Sequence, residues 1–598
     1  MKNGPDLSGP FNSLSYIACG PSELSQAEVS NGPEKVPESR KSVGECLKSV
    51  TCPDELTHGI GTKECQKFRE DIFKRITPIA FDAAHKYIKI TREFDYVHAN
   101  RFLNGIDKQL QIADFNVTSD LKSIKSFAQQ KSMECVRNTS KMSDAKAAAW
   151  CKAKLGRYGI DLPKHASDIE NVLTARSERF WFKKTKQLSA QKLEQVRRCL
   201  DLVHQSKSPY CSDDQLRQYQ WQKEQSLDYM SKNWFCSDNG EVISMLDAYM
   251  VNVSNPAVRR AELMVRVRGT EDYSNFCKHK GVFYTITTPS KFHSHYKTGK
   301  PNPKYKDHTV KEANDYLCNQ WEKARAQFHR ENIQVYGLRV VEPHHDGTPH
   351  WHLMLFMPPE HSSRVTEILR YYALEHDSKE AGAQKNRFQA KEINPELGSA
   401  QDYIAKYICK NIDGEFIDHD KYGNDAKTSA IRIAAWASIN NIRQFQFIGL
   451  PSVSLWRQLR KAPVADSTEL EKIRQASDSS DWFAYLVLMG GHNIRRTDRP
   501  FSIEYKKQLK HHLKGLDKSL LSEKAFNRKP FAIQSSSQRY LILDKGWKLL
   551  SSPPEQINSS PAPPDGRAVD EVSGGYRRAW GGAPPAGKGP NPEGLGLV

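Results

Sequence analysis

Cysteine is sparse. The 598-residue chain has 12, and no two form a Cys-x-x-Cys pair. That excludes a disulfide-stapled scaffold and the ordinary zinc modules, and a reducing cytoplasm is the expected compartment. Cys46, Cys52, His58 and Cys65 lie close together but lack metal-ligand spacing, so unligated thiols are expected there. Long apolar runs are missing too. None approaches the roughly 20 residues needed to span a bilayer, and Met1-Lys-Asn-Gly-Pro-Asp6 leads into no apolar region, so neither a membrane partner nor a secretory signal is expected. No Gly-x-x-x-x-Gly-Lys-Ser/Thr loop occurs, which excludes a built-in P-loop motor. Acidic residues are in the minority. The balance of 88 Lys+Arg against 70 Asp+Glu gives a net charge of +18, an excess that favours a polyanionic partner through counterion release.

Composition divides the chain. Residues 1–65 are rich in Ser, Pro, Gly, Glu and Lys and read as a flexible segment. Residues 66–255 read as a mainly helical domain, with an Ala-rich stretch at Ser143–Gly156 and helical apolar spacing over Leu188–Val203. Arg179-Phe-Trp-Phe-Lys-Lys-Thr-Lys186 mixes aromatic and basic residues. It reads as a helix with core aromatics, against the alternative of a surface that stacks on nucleic-acid bases. Asp213–Met230 reads as a solvated arm. Residues 463–550 are expected to form a helical C-terminal region, including the basic run Lys506–Lys514, and 551–598 a disordered Pro/Gly-rich tail.

Residues 256–462 are the ordered centre. Val282–Thr287 alternates as a strand, Lys311–Arg330 is a helix, Val335–Glu342 and His350–Phe356 form a hairpin, Ser363–Glu375 is a helix and Arg387–Ile393 a strand. This β-α-β-β-α-β order predicts an α+β, ferredoxin-like (RRM-like) core with an antiparallel sheet. One face would lie under the helices and the other stay open. Lys427–Ile439, Arg443–Ile448 and Ser452–Lys461 follow as helix, strand and short basic helix.

The hairpin Glu342-Pro-His-His-Asp-Gly-Thr-Pro-His-Trp-His352 carries the candidate chemistry. Asp346-Gly347 signals a tight turn. His350 and His352, two apart on a strand, point the same way and can grip one metal ion. The register decides which carboxylate joins them. With a three-residue loop over Asp346–Thr348, Glu342 pairs with His352 and His344 with His350. A two-residue loop turns Glu342 to the opposite face. Glu342 is the chosen third ligand, with His344 or Asp346 behind it. Ligand softness alone allows zinc, iron or manganese.

A second constellation is Tyr403-Ile-Ala-Lys-Tyr407. Residues four apart stack on one helix face, and Lys410 shares it. Ser399-Ala-Gln-Asp402 predicts a capping box and Gly414 a stop. Ile404, Ile408 and Ile412 form a separate apolar stripe that can bury the helix.

His350-Trp351-His352, followed by a Tyr-x-x-x-Tyr helix and preceded by Val282-Phe-Tyr-Thr-Ile-Thr-Thr-Pro289, resembles the HUH endonucleases. Pro-His-His-Asp-Gly-Thr-Pro-His-Trp-His and Tyr-Ile-Ala-Lys-Tyr-Ile-Cys-Lys-Asn-Ile-Asp-Gly look closest to the replication gene A proteins of temperate tailed phages. The close match covers roughly residues 280–460, with weaker similarity over Ala175–Asn233. The resemblance implies a rolling-circle replication initiator in the bacterial host cytoplasm and a cation that is Mg²⁺ or Mn²⁺. It also implies single-stranded DNA at the replication origin as partner, joined through a covalent intermediate.

On that resemblance Tyr403 and Tyr407 would be nucleophiles that nick one strand by transesterification, each leaving a 5′-phosphotyrosine and a free 3′-hydroxyl, and later rejoin the displaced strand. A phenol has a reference pKa of about 10, and a cation such as Lys410 would favour the phenolate. Host helicase and DNA polymerase would be needed as partners. The alternatives are a relaxase or transposase with the same core, and a non-catalytic single-stranded nucleic-acid-binding protein. The tyrosines follow the histidine motif instead of preceding it, which favours the initiator over a relaxase.

Overall fold

The computed structural model describes residues 52–164, 166–393, 399–462, 468–509, 526–535, 539–542 and 546–550. Its centre is a five-stranded sheet of β1 (Lys280–Thr287), β2 (Tyr336–Pro343), β3 (Pro349–Met357), β4 (Phe388–Glu392) and β5 (Phe445–Ile448). The spatial order is β4-β1-β3-β2-β5, and every neighbouring pair is antiparallel. Helices Val310–Arg330 and Ser362–Ala373 connect β1 to β2 and β3 to β4, giving the element order expected from periodicity. The first of these starts at a Thr309/Glu312 capping box and buries Ala313, Leu317, Trp321, Ala324 and Phe328, the stripe that its 3.6-residue period requires.

Both faces of the sheet are covered, which corrects the expectation of one open face. On one side Val282, Tyr284, Val341, Trp351, Leu353 and Leu355 meet the connecting helices through Leu317, Phe328, Val365 and Leu369. On the other, Phe283, Leu338, Val340, Met354 and Phe445 pack against Ile404, Ile408 and Ile412 of the tyrosine helix (Ala400–Ile412). Leu263 and Val267 of helix Pro256–Phe276, with Trp456 and Trp482, complete that layer. Every residue of β2 and β3 is buried. Each fully buried aliphatic side chain contributes roughly 1.5–3 kcal/mol, so the isoleucine stripe fixes the tyrosine helix firmly across the histidine-bearing face.

Gly337 marks the tightest point of this sheet. Its φ is +151°, and a Cβ there would lie 1.9 Å from the Met354 carbonyl oxygen on β3. Gly337→Ala is expected to destabilise the fold by about 3 kcal/mol, read as a lowered urea midpoint. An unchanged midpoint would show that β2 can shift away from β3 at no cost.

The region before residue 256 is mainly helical, as expected. Helices Lys63–Arg75, Ala80–Glu93, Tyr96–Leu110, Leu121–Thr139 and Glu178–Cys199 share a core that includes Ile72, Tyr87, Leu103, Ile124 and Trp181. Helix Pro53–Thr57 and the start of Lys63–Arg75 fall inside the segment read as flexible; residues 1–51, with Cys46, lie outside the described residues. Cys52 Sγ donates to Asp54, and Cys65 Sγ accepts from Asn100 Nδ2. Trp181 is fully buried and its indole N–H donates to the Ala175 carbonyl (2.7 Å), while Phe180 and Phe182 pack on the same core. The core reading of Arg179–Lys186 therefore holds for its aromatics. Helix Asp213–Ser231 buries only Gln215 and Leu216, as a solvated arm should.

The C-terminal region differs from expectation. After helices Thr468–Asp478 and Trp482–Leu488 come strands Ser502–Leu509, Phe526–Gln534 and Arg539–Leu541, paired in a separate antiparallel sheet. The basic run expected to be helical begins inside the first of these strands. Ile503 lies opposite Ile533, and the two-residue alternation Ile-Glu-Tyr-Lys outweighs the lysine spacing that suggested a helix. Residues 510–514 and 551–598 lie outside the described residues. Among the described residues no helix is long and apolar enough to cross a membrane.

Candidate active site

The hairpin sets the site. Glu342 stands opposite His350, and His352 opposite Val340. The loop has three residues, the longer of the two possible lengths, but they are His345–Gly347 instead of Asp346–Thr348. The His344 N–H donates to the Thr348 carbonyl (2.7 Å) and the Gly347 N–H to the His344 carbonyl (2.9 Å), with Gly347 at φ +79°. Asp346 favours this closure from within the hairpin. Its carboxylate accepts from the Thr348 N–H (3.1 Å), the Thr348 hydroxyl (2.9 Å) and the Ser294 N–H (2.9 Å). It anchors the turn and is thereby used up as a ligand. The register differs from expectation by an even step, so Glu342 keeps the histidine face.

Glu342, His350 and His352 are buried, and one donor atom from each lies within 4.8 Å of the others. The Glu342 Oε2 is 3.7 Å from His350 Nε2 and 3.5 Å from His352 Nε2, and the two Nε2 atoms are 3.1 Å apart. Donors about 2.1 Å from one octahedral cation are roughly 3 Å apart, so the three can converge on a single ion. His344 instead lays its ring against His350 (4.2 Å between centroids).

Electrostatics suit a cation. Burial pushes the Glu342 carboxyl up, but Lys410, His352 and Asn411 together outweigh it and hold it well below the usual carboxylate range. Burial, then the neighbouring His344, His352, Lys421 and Lys410, hold His350 well below the usual imidazole range, so it is neutral. The site thus offers a neutral imidazole beside an anion. The His352 Nδ1 meets Thr285 Oγ1 on β1 (3.1 Å). With that nitrogen donating, its Nε2 lone pair turns toward Glu342 and His350. Such outer-shell partners fix ligand orientation. Thr285→Val is expected to weaken divalent-cation binding by about 10-fold to 100-fold with the fold intact, measured by Mn²⁺ titration calorimetry. Wild-type affinity in the folded variant would refute the role.

The tyrosine helix delivers the rest. Its capping box forms as expected, with Ser399 and Asp402 exchanging side-chain and backbone bonds. The Tyr407 ring packs against both His352 (4.2 Å) and Phe283 (5.4 Å), which also stack on each other. Tyr403 is one turn out, 6.4 Å from Phe283, with the Lys391 ammonium 4.8 Å over its ring. Lys410 departs from expectation. Its ammonium is 3.2 Å from Glu342 Oε2 and lies over the Tyr210 ring (5.8 Å). A buried carboxylate attracts the nearest cation more strongly than a neutral phenol does. Burial and then the Glu342 charge push Tyr407 up to about 12, so Lys410 does not activate it in this arrangement.

The model of the bacteriophage replication gene A protein (GPA) family matches residues 108–415, just over half of the chain. The chain belongs to this family. A probable replication protein P12 of Pseudoalteromonas phage PM2 is 35% identical over 74% of this chain and 70% of its own length. The replication gene A proteins of Escherichia phages P2 and 186 are 41% and 38% identical over 49% and 55% of this chain. The chain spans less than half the length of those two, 41% and 49%. No solved structure matches. The family segment contains Thr285, Glu342, His350, His352, Tyr403, Tyr407 and Lys410, and reaches back into the helical region.

Three participants were not found from the sequence. Asn411 donates its Nδ2 to Glu342 Oε1 and to the Tyr407 carbonyl (2.6 Å for the latter); its place beside Lys410 was the available signal. Thr285 lies inside the first-strand motif, two residues from Phe283, and alternation could have placed it on the histidine face. Lys421, with its ammonium 5.0 Å over the Tyr422 ring, reaches the site through a loop that no periodicity foretells.

Proposed function

We propose that this protein initiates rolling-circle replication by nicking one DNA strand at the phage origin, on a ferredoxin-like HUH core. The support is the convergence of Glu342, His350 and His352 with the Tyr407 ring 4.2 Å from His352. Neutral imidazole and ionised carboxylate fit a hard or borderline divalent ion. Glu342, His350 and His352 would hold Mg²⁺ or Mn²⁺, which when bound polarises a scissile phosphate and offsets its developing charge. Tyr407 Oη attacks phosphorus, the P–O3′ bond breaks, and the P–Oη bond forms. The phenol proton passes to solvent, and the departing 3′ oxygen takes a proton to become a free hydroxyl. Phe283 and His352 hold the ring in place, and Lys410 fixes Glu342. The phenyl ester conserves the bond energy, so the strand can be resealed without a nucleotide cofactor. Tyr403, one turn away, would serve the second transfer. The partners would be origin single-stranded DNA, a host helicase and a host polymerase.

The test is a labelled single-stranded oligonucleotide bearing the origin, incubated with Mg²⁺ and resolved under denaturing conditions. A covalent adduct mapped to the tyrosine helix is expected. DNA binding that is unaffected by EDTA and leaves no adduct would instead favour a non-catalytic binder.

A further inference from the structure

We propose that Arg198 is a positioning residue for the Glu342–His350–His352 triad, and that the helical region therefore acts as the clamp of the catalytic hairpin. The inference rests on the reading of that triad as a cation site.

The three loop residues of the hairpin each have their carbonyl capped from outside it. The His345 carbonyl accepts from the Tyr210 N–H (3.1 Å), the Asp346 carbonyl from Arg198 Nε (3.0 Å), and the Gly347 carbonyl from the Trp436 indole (2.8 Å). Two of these donors come from the region before residue 256. Arg198 also donates Nη2 to the Thr348 hydroxyl (3.2 Å) and the Phe292 carbonyl (3.4 Å), and Nη1 to Gln195 (3.1 Å) and the His308 carbonyl (3.2 Å). The residue is 2% exposed, so none of these bonds competes with bulk water.

This placement controls register. A loop closed over His345–Gly347 and one closed over Asp346–Thr348 have the same length, and Asp346-Gly347 fits both. The clamp separates them. Only the first presents the Asp346 carbonyl and the Thr348 hydroxyl together to one guanidinium fork. A slip of the hairpin changes which residue stands opposite His350, and a slip of one residue turns Glu342 away. A guanidinium holds two acceptors in fixed geometry where an ammonium is a point charge, so lysine cannot do the same work. The other end of helix Glu178–Cys199 is anchored by Trp181 in the core of the helical region, which makes that helix a strut between core and hairpin. The family match, beginning at residue 108, agrees with a catalytic unit that includes this strut.

The experiment uses the full chain with Arg198→Met, Arg198→Lys and the control Arg69→Met. Arg69 is also fully buried, and among the described residues its hydrogen bonds go to Thr57 and Tyr87 within the helical region. Three readouts are compared: Mn²⁺ affinity by calorimetry, amide hydrogen exchange of His344 and Gly347, and thermal midpoint. Arg198→Met is expected to weaken Mn²⁺ binding at least about 10-fold and to speed exchange at both amides, with Arg198→Lys in between. Arg69→Met is expected to lower the midpoint without moving the other two. If Arg198→Met does not fold, Arg198→Lys carries the comparison. Folded Arg198 variants with wild-type exchange at the hairpin overturn the proposal, as does an equal loss of Mn²⁺ affinity in Arg69→Met. A wild-type protein that binds no Mn²⁺ overturns the cation reading instead, and the exchange data still decide the clamp.

Discussion

Glu342→Gln is expected to reduce covalent adduct formation with origin DNA by about 1,000-fold while preserving the shape of the side chain. The reason is charge. Glu342 is 1% exposed, accepts from Lys410 and Asn411, and faces two imidazole nitrogens within 3.7 Å. An amide removes the one anion of this cluster. Lys410, whose side chain is 12% exposed, then lacks its counter-ion. Removing one preorganised charged group from a site that stabilises developing charge costs about 2.7–4 kcal/mol of transition-state stabilisation, and about 4 kcal/mol corresponds to roughly 1,000-fold in rate. A divalent cation would also meet two imidazole nitrogens beside an uncompensated ammonium, with no carboxylate among its ligands, so Mn²⁺ binding is expected to fall with the rate. Single-turnover adduct assays across a Mg²⁺ series check this. A loss that high Mg²⁺ restores would place the defect in cation binding; an unchanged rate would remove Glu342 from the mechanism.

The contrast between Glu342 and Lys410 shows what sequence could and could not convey. Which face Glu342 occupies follows from parity alone, and any odd-length loop preserves it. Its partner across the ladder depends on which three residues close the loop, and the loop that forms is the one in which the Asp346 carboxylate bonds Ser294 and Thr348 while Arg198 holds the Asp346 carbonyl and the Thr348 hydroxyl. Ser294 is 52 residues away from Asp346, beyond the reach of any local pattern. Spacing puts Lys410 on the face of the helix that carries Tyr403 and Tyr407, since helical geometry is local. Its partner is Glu342 instead of a phenol, and the pull of a buried carboxylate is visible only after β2 and the tyrosine helix have been packed together.

The same distinction explains the sheet. The order of elements along the chain is legible in the sequence because alternation and 3.6-residue stripes are short-range. The covering of the histidine face was not. Helix Pro256–Phe276 buries Leu263, Val267 and Tyr273 but also Glu262, Arg266, Thr270 and Ser274, which blurs its apolar stripe. Two of the polar members find partners far along the chain: Arg457 bonds Glu262 (2.6 and 2.8 Å), and the Arg266 guanidinium lies 3.7 Å over Phe447. The candidate site is therefore not an exposed platform. It is reached at the edge of a covered face, where Tyr403 and Lys391 are more open than the triad.

That geometry makes the two tyrosines unequal. Tyr407→Phe removes one oxygen and leaves the ring packing against His352 and Phe283 in place, so folding stability is expected to change by less than about 1 kcal/mol. Adduct formation is expected to fall at least about 1,000-fold, because a positioned covalent nucleophile has no substitute at its own site. Tyr403→Phe is expected to leave the first adduct within about threefold of wild type and to impair strand rejoining, since Tyr403 stands one turn farther from the imidazoles. The double variant Tyr403→Phe/Tyr407→Phe should give no adduct while still binding the oligonucleotide. Mapping the phosphotyrosine in each single variant decides between this ordering and free exchange of roles. If Tyr407→Phe gives full adduct on Tyr403, the two phenols are interchangeable and the helix must rotate or slide to present them. If the double variant still forms adduct, the nucleophile lies elsewhere and the tyrosine helix serves only to cover the sheet.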